Sequence, residues 1–217
     1  MKVLVIDVGG THVKSRLMGQ EEIRRFRSGP QLTASEMVHG VLETTRDWKY
    51  DAVSIGYPGP VVQNKILLEP RNLGRGWVGF DFAAHFGKPV KIINDAAMQA
   101  LGSYEGGRML FLGLGTGLGT AFIIDKVVAA LELAHLPYKK GRSFEDYLGL
   151  RGLKRLGKKR WRRAVEDVVA RLRAAFVADY VVLGGGNVKK LATLPPGCKA
   201  GDNKKAFVGG ERLWTDY

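Results

Sequence analysis

Apolar residues in this chain come in short runs that stop at glycines, and these runs alternate with stretches of helical periodicity. Val3 to Ile6, closing on Asp7, reads as a buried strand, and Gly9-Gly10 turns it back into Val13 to Met18 as a hairpin. Glu36 to Trp48 is expected to be helical. Val53 to Gly56 reads as a strand ending in the turn Tyr57-Pro58-Gly59-Pro60, and Val90 to Ile93 as another, closed by Asn94-Asp95. Ala96 to Tyr104 has good helix formers directly after two residues suited to an N-cap. A second hairpin is expected over Met109 to Ile124. Val165, Val168, Val169, Leu172 and Phe176 recur at helical spacing, which predicts an amphipathic helix over Trp161 to Phe176. A strand, Tyr180 to Leu183, then runs into Gly184-Gly185-Gly186 and a further short helix.

Strands alternating with helices place the chain in the α/β class. Two segments echo each other: Val3 to Asp7 before Gly9-Gly10, and Leu110 to Leu114 before Gly115-Thr116-Gly117. The expected organisation is therefore two similar domains, 1–104 and 105–217, with a cleft between them. The length of 217 residues allows that and excludes a multi-domain array, while 45% hydrophobic and 25% charged residues exclude disorder and fibres. The 29 glycines are about twice the usual share of roughly 7%. They are bunched at the ends of apolar runs, which indicates close backbone approaches and not linkers.

Cys198 is the only cysteine, so no intrachain disulfide and no multi-cysteine metal cage is expected, in keeping with a reducing cytoplasm. The apolar run after Met1-Lys2 is too short for a signal peptide. The least polar window, Met109 to Ile124, contains four glycines and falls short of the roughly 20 apolar residues of a bilayer span. A cytoplasmic protein with no membrane partner is expected.

The charge is less ordinary, with 34 Lys+Arg against 21 Asp+Glu and a net +13. Arg151, Lys154, Arg155, Lys158, Lys159, Arg160, Arg162 and Arg163 lie in a stretch containing no acid; setting these eight aside from the +13 leaves +5 for the rest. Such a run is either a solvated face or a surface for a polyanion. The nearby aromatics, Tyr147 and Trp161, are too few to stack single-stranded nucleic acid, and nucleic acid is not the expected partner.

Asp7 to Lys14 joins a strand-end carboxylate, a glycine turn, a hydroxyl and a lysine. Backbone N–H groups at Gly9 and Gly10 can converge on phosphate oxygens, with Thr11 as a further donor, Lys14 as a point charge and Asp7 holding a hydrated Mg²⁺. A plain hairpin explains the same residues. Gly113 to Thr120 is a second candidate cradle with glycines at alternate positions. It fails the G-x-G-x-x-G pattern, because Leu118, Thr120 and Phe122 stand where the third glycine would fall, and no P-loop motif occurs anywhere. The alternative here is a glycine-weakened strand. Asp95 at a strand-to-helix junction can accept a proton from a bound hydroxyl or merely cap the helix. Glu132, His135 and Glu145 can hydrogen-bond a polyol or sit in a solvated loop, and they lack the ligand set of a zinc site. Gly184 to Asn187 either admits a flat base to the backbone or forms a simple turn.

In this order the pieces resemble the ROK family of sugar kinases and regulators, which share the actin-like (ribonuclease H-like) two-domain fold with a central cleft, and especially its polyphosphate glucokinase branch. The resemblance implies that Asp7 to Lys14 and Leu114 to Gly119 are the two phosphate motifs. Gly9, Gly10, Thr11, Lys14, Gly115 and Thr116 would then contact the donor, and Val182 to Asn187, with Gly185 and Gly186, would be the adenosine motif. It implies that Asn94-Asp95-Ala96 is the catalytic motif, with Asp95 the general base. Pro70-Arg71-Asn72-Leu73 is similar to the segment that gives the sugar pocket an asparagine. Glu132-Leu133-Ala134-His135 resembles the family's E-L-G-H clamp with alanine for glycine. The family's cysteine-rich zinc motif is missing, and Arg142 to Tyr147 resembles only its end, keeping the terminal glutamate as Glu145. Zinc is therefore not expected, and His135 would be left for the sugar, as in the polyphosphate branch.

The resemblance implies phosphoryl transfer to a hexose, most simply the 6-hydroxyl of glucose. The donor would be ATP or inorganic polyphosphate with Mg²⁺, and the sugar would be fixed by Asn72, Asn94, Asp95, Glu132, His135 and Glu145. A homodimer is expected. Two other classes stand beside it. The family's repressors carry a helix-turn-helix ahead of the kinase-like body, whereas this sequence opens on its first strand, so a DNA-binding role would fall to the basic run. A sugar-binding protein without catalysis would have no need of Asp7, Thr11, Asp95 and the second glycine motif together.

Overall fold

In the computed structural model, which describes residues 1–215, each apolar run ending at a glycine is a strand of one of two five-stranded sheets. The chain divides into two compact units, Met1–Met98 with the C-terminal segment from Ala206, and Gln99–Lys205. The expected division after residue 104 therefore moves into the helix that carries Asp95, and the end of the chain returns to the first unit.

The first unit contains β1 (Val3–Val8), β2 (His12–Leu17), β3 (Ile23–Arg27), α1 (Ala34–Thr44), β4 (Ala52–Tyr57), a short hairpin of β5 (Val61–Val62) and β6 (Lys65–Ile66), α2 (Phe82–Phe86), β7 (Val90–Asn94) and the first turn of α3 (Asp95–Ser103). The sheet runs β3-β2-β1-β4-β7, with β1, β4 and β7 parallel and the β1-β2-β3 meander antiparallel. Alternation along β1 sorts its side chains. Leu4, Ile6 and Val8 enter the core with Met37, Val38 and Val41 of α1, whereas Val3 and Val5 pack with Met98. Asp7 shares the parity of Val3 and Val5. The helix α1 starts two residues before the expected Glu36 because Thr33 and Glu36 form a capping box, and it stops at Thr45 instead of reaching Trp48. Trp48 lies beneath the Arg24 guanidinium, 4.2 Å from ring centre to carbon.

The second unit contains β8 (Met109–Leu114), β9 (Leu118–Ile124), β10 (Val127–Leu131), a small β11 (Pro137–Lys139) and β12 (Arg142–Ser143) hairpin, α4 (Phe144–Leu148), α5 (Leu150–Ala175), β13 (Tyr180–Gly184) and β14 (Cys198–Ala200). Its sheet runs β10-β9-β8-β13-β14, antiparallel through β10-β9-β8 and parallel through β8-β13-β14. The expected amphipathic helix buries Val165, Val168, Val169 and Leu172, together with Trp161, whose Nε1–H donates to Leu148 O at 2.9 Å. It begins eleven residues earlier than Trp161, at Leu150, and kinks at Gly157 (φ 71°), so the basic run is helical. The helix expected after Gly186 is only a 3-10 turn, Val188–Lys190.

The final helix, α6 (Lys205–Arg212), returns to the first sheet. Ala206 and Phe207 join Val3, Val5 and Met98 in one core, and Ser54 Oγ–H donates to Gly210 O at 2.6 Å.

Candidate active site

In the first unit the chemistry gathers at the carboxyl ends of β1 and β4. Asp7 pairs in register with Lys14 on β2 and with Gly56 on β4. Lys14 Nζ lies 3.4 Å from Asp7 Oδ2. Burial pushes the Asp7 carboxyl above the ordinary carboxylate range, and Lys14 offsets this only in part. Beyond Asp7, Gly9 N–H closes the turn on His12 O at 3.1 Å, leaving Gly10 and Thr11 exposed. Ser28 steadies the turn by donating Oγ–H to Gly9 O at 2.6 Å and N–H to Thr11 O at 3.1 Å. Asn72 is exposed beside it; a Cβ on Gly10 would stand 3.6 Å from Asn72 Cβ.

Asn94 and Asp95 both accept backbone N–H groups at the start of α3. Asn94 is the cap: its Oδ1 accepts the Ala97 N–H at 3.0 Å, and its Nδ2 donates to Gly59 O at 3.1 Å. The helix thus opens at Asp95, one residue before the expected Ala96. Asp95 is half-buried, and its Oδ1 accepts the Ala96 N–H at 2.7 Å, so its carboxylate sits where a helix start favours negative charge. Gly56 packs beneath this helix start. A Cβ there would meet Met98 Cε at 2.3 Å and stand 3.6 Å from Asp95 Cα. Since Gly56 also neighbours Asp7, the two acidic residues flank one glycine.

In the second unit the Gly113–Gly119 turn is held from several sides. Gly115 N–H closes it on Gly113 O and Gly117 O, at 3.0 and 3.2 Å. Asn187 donates from N to Leu114 O at 2.9 Å and from Nδ2 to Gly115 O at 2.8 Å. Gly185 has φ +84°, and a Cβ on it would fall 2.6 Å from the Leu114 carbonyl carbon. Thr116, Gly185 and Gly186 are thereby gathered around one backbone feature, with Thr116 and Gly186 exposed.

Glu145, expected at the sugar, accepts the Leu118 N–H at 3.2 Å and lies 3.5 Å from Arg151, so this carboxylate braces the turn. Leu150 N–H, at the start of α5, donates to Thr116 O at 3.1 Å. Glu132, the residue before a 3-10 turn, and His135, the last residue of that turn, are half-exposed and 3.6 Å apart, and the Phe144 N–H of α4 donates to Leu136 O just beyond. Of the basic run, Arg155 donates to Asp146 O and Arg162 to Lys190 O, while Lys154, Lys158, Lys159, Arg160 and Arg163 are exposed. Among the described residues no three His, Cys, Asp or Glu side chains gather as a metal cage, and no helix is long and apolar enough to cross a membrane.

Sequence reasoning missed Ser28, Gly56, Asn187 and Leu150 as supports. Ser28-Gly29-Pro30 carries turn chemistry that could have flagged Ser28, but nothing local marks the partners of the other three.

The family model for ROK matches residues 3–130, from β1 into β10. The chain belongs to the ROK family. N-acetylmannosamine kinase of Haemophilus influenzae is 27% identical over 145 residues, covering 59% of this chain and 48% of the relative. The chain thus matches about half the length of such curated relatives. Among solved structures, the inorganic polyphosphate/ATP-glucomannokinase of Arthrobacter sp. strain KM superposes with a TM-score of 0.81 at 22% identity, covering 96% of each chain. A ROK family glucokinase of Streptomyces griseus, in complex with glucose and AMPPNP, gives 0.76 at 18% identity, covering 98% of this chain and 99% of that one. The mixed α/β fold with two lobes is the one that ROK structures share.

Proposed function

We propose that this ROK chain is a sugar kinase that transfers a phosphoryl group from ATP or inorganic polyphosphate to a hexose hydroxyl, with glucose the first substrate to try. The observation that carries the reading is the placement of Asp7 and Asp95 on either side of Gly56, next to the Gly9–Thr11 turn. One carboxylate is partly buried near the end of a strand, and the other opens a helix. In this reading Asp95 takes the hydroxyl proton, while Gly9, Gly10, Thr11 and Lys14 bind donor phosphate and Asn72 and Asn94 contact the sugar. The second unit supplies Gly115 and Thr116 to phosphate, Gly185 and Gly186 to an adenine when ATP is the donor, and Glu132 and His135 to sugar hydroxyls. Glu145 holds the Leu118 amide through Oε2 and keeps further lone pairs with which to accept from a sugar hydroxyl.

The residues fit Mg²⁺. A partly buried strand-end carboxylate beside the glycine turn suits a cation that keeps several waters and takes its other ligands from phosphates. When bound, magnesium would neutralise charge on the donor. The relatives support both donors and more than one sugar: the Arthrobacter protein is named for polyphosphate and ATP, and the Haemophilus protein for N-acetylmannosamine. The test is sugar-6-phosphate formation with ATP and polyphosphate crossed against glucose, mannose and N-acetylmannosamine. Turnover of at least one pair is expected; none with any pair contradicts the reading.

A further inference from the structure

The sheet register brings together a set of cations that the sequence scatters. Residues paired across neighbouring strands point to the same face, so Asp7, Lys14 and Arg25 form one row across β1, β2 and β3, and His12 and Arg27 form the next. Strands lie about 4.8 Å apart and alternate residues about 7 Å along each, so these side chains rise from a backbone patch of roughly 5 by 7 Å. Farther along the same face, Arg16 is paired with Glu211 at 2.8 Å and lies over the Phe207 ring, so α6 closes that end. The other end leads to the Gly9–Thr11 turn.

Lys14 directly opposite Arg25 is a like-charge cross-strand pair, an arrangement that destabilises a sheet. Among the described residues, Asp7 is the one carboxylate paired with Lys14. Glu211 is engaged by Arg16, and Glu22 and Asp47 hold Arg24 on the opposite face. Among the described residues no carboxylate pairs with the exposed Arg25 or Arg27. Cations on an edge strand also discourage sheet-to-sheet pairing, but that needs charge on β3 alone, not a lysine facing it from the inner strand. The strip itself carries no Phe, Tyr or Trp on which a base could stack.

We propose that the β2–β3 face bearing His12, Lys14, Arg25 and Arg27 is a binding track for a linear oligophosphate, extending the donor site outward from the glycine turn. Its direction rests on reading Gly9–Thr11 as a donor-phosphate turn. Its existence rests on the register. Forked guanidiniums suit successive phosphates of a chain, and a single orthophosphate is too short to reach both rows.

The test measures inorganic polyphosphate binding without sugar, across a salt series, in the full chain and in the Arg25→Gln/Arg27→Gln variant, with Lys158→Gln/Lys159→Gln as a matched control. The arginine variant should bind at least tenfold more weakly, with its salt slope reduced by about one to two, and the control should change less than threefold. Should the edge-strand variant fail to fold, a dicarbonyl arginine reagent on the unaltered protein serves instead: polyphosphate should shield Arg25 and Arg27. Unchanged affinity and slope, no shielding, or equally tight binding of a single-stranded oligonucleotide would each overturn the track. Because no sugar is present, a protein that binds polyphosphate on this face yet phosphorylates nothing refutes the kinase reading and leaves the track standing.

Discussion

The Gly9–Thr11 turn is closed by one backbone bond and steadied by Ser28, whereas the Gly113–Gly119 turn is clasped by Asn187, Glu145, Leu150 and the close approach of Gly185. Their side chains differ in the opposite sense. The first turn is surrounded by ionisable groups, Asp7, Lys14 and, across Gly56, Asp95, while the second presents mainly backbone and Thr116. The first strand-glycine-strand turn thus carries more ionisable side chains, and the second more packing support. Substitutions in the second should damage folding before chemistry, and substitutions in the first should damage chemistry while sparing, or even improving, the fold.

The sharpest contrast comes from a matched pair of alanines. Gly185→Ala forces a Cβ into the Leu114 backbone at a positive φ and should cost about 3 kcal/mol or more, whereas Gly10→Ala, exposed and meeting only Asn72 at an ordinary distance, should cost about 0.5 kcal/mol or less and raise the donor KM. Denaturant midpoints decide it, and equal losses would erase the distinction between the two turns.

A smaller effect, of unusual sign, is expected at Asp7. Its carboxyl titrates higher in the folded than in the unfolded chain, so the folded state holds more protons from about pH 3.9 up to the raised value. Stability therefore falls as pH rises through that window, and the deficit persists at neutral pH. Asp7→Asn should flatten the slope and raise the thermal midpoint at pH 7 while abolishing magnesium-dependent turnover. A lower midpoint would mean that the Lys14 pairing outweighs burial.

Strands ending in glycine turns were legible because both signals are local. The strand β3 was not, since Ile-Arg-Arg-Phe-Arg puts arginine on both faces and hides the alternation. The first turns of α5 were concealed by the same means, their buried Gly152 lying among cations. The return of α6 could not be read at all, because its partners Val5 and Ser54 lie far away along the chain. In the site, Asp7 and Asp95 stood out by type and position. Gly56 did not, although it lies between them, and the motif likeness of Glu145 gave no sign of the backbone amide from another hairpin that its carboxylate accepts.

If Asp95 serves as the base for a sugar hydroxyl, measuring turnover and sugar affinity together in Asp95→Asn will separate chemistry from binding. Turnover should fall by about 10²- to 10⁴-fold while sugar affinity stays within a few-fold of that of the unaltered protein. Turnover close to that of the unaltered protein would contradict that role.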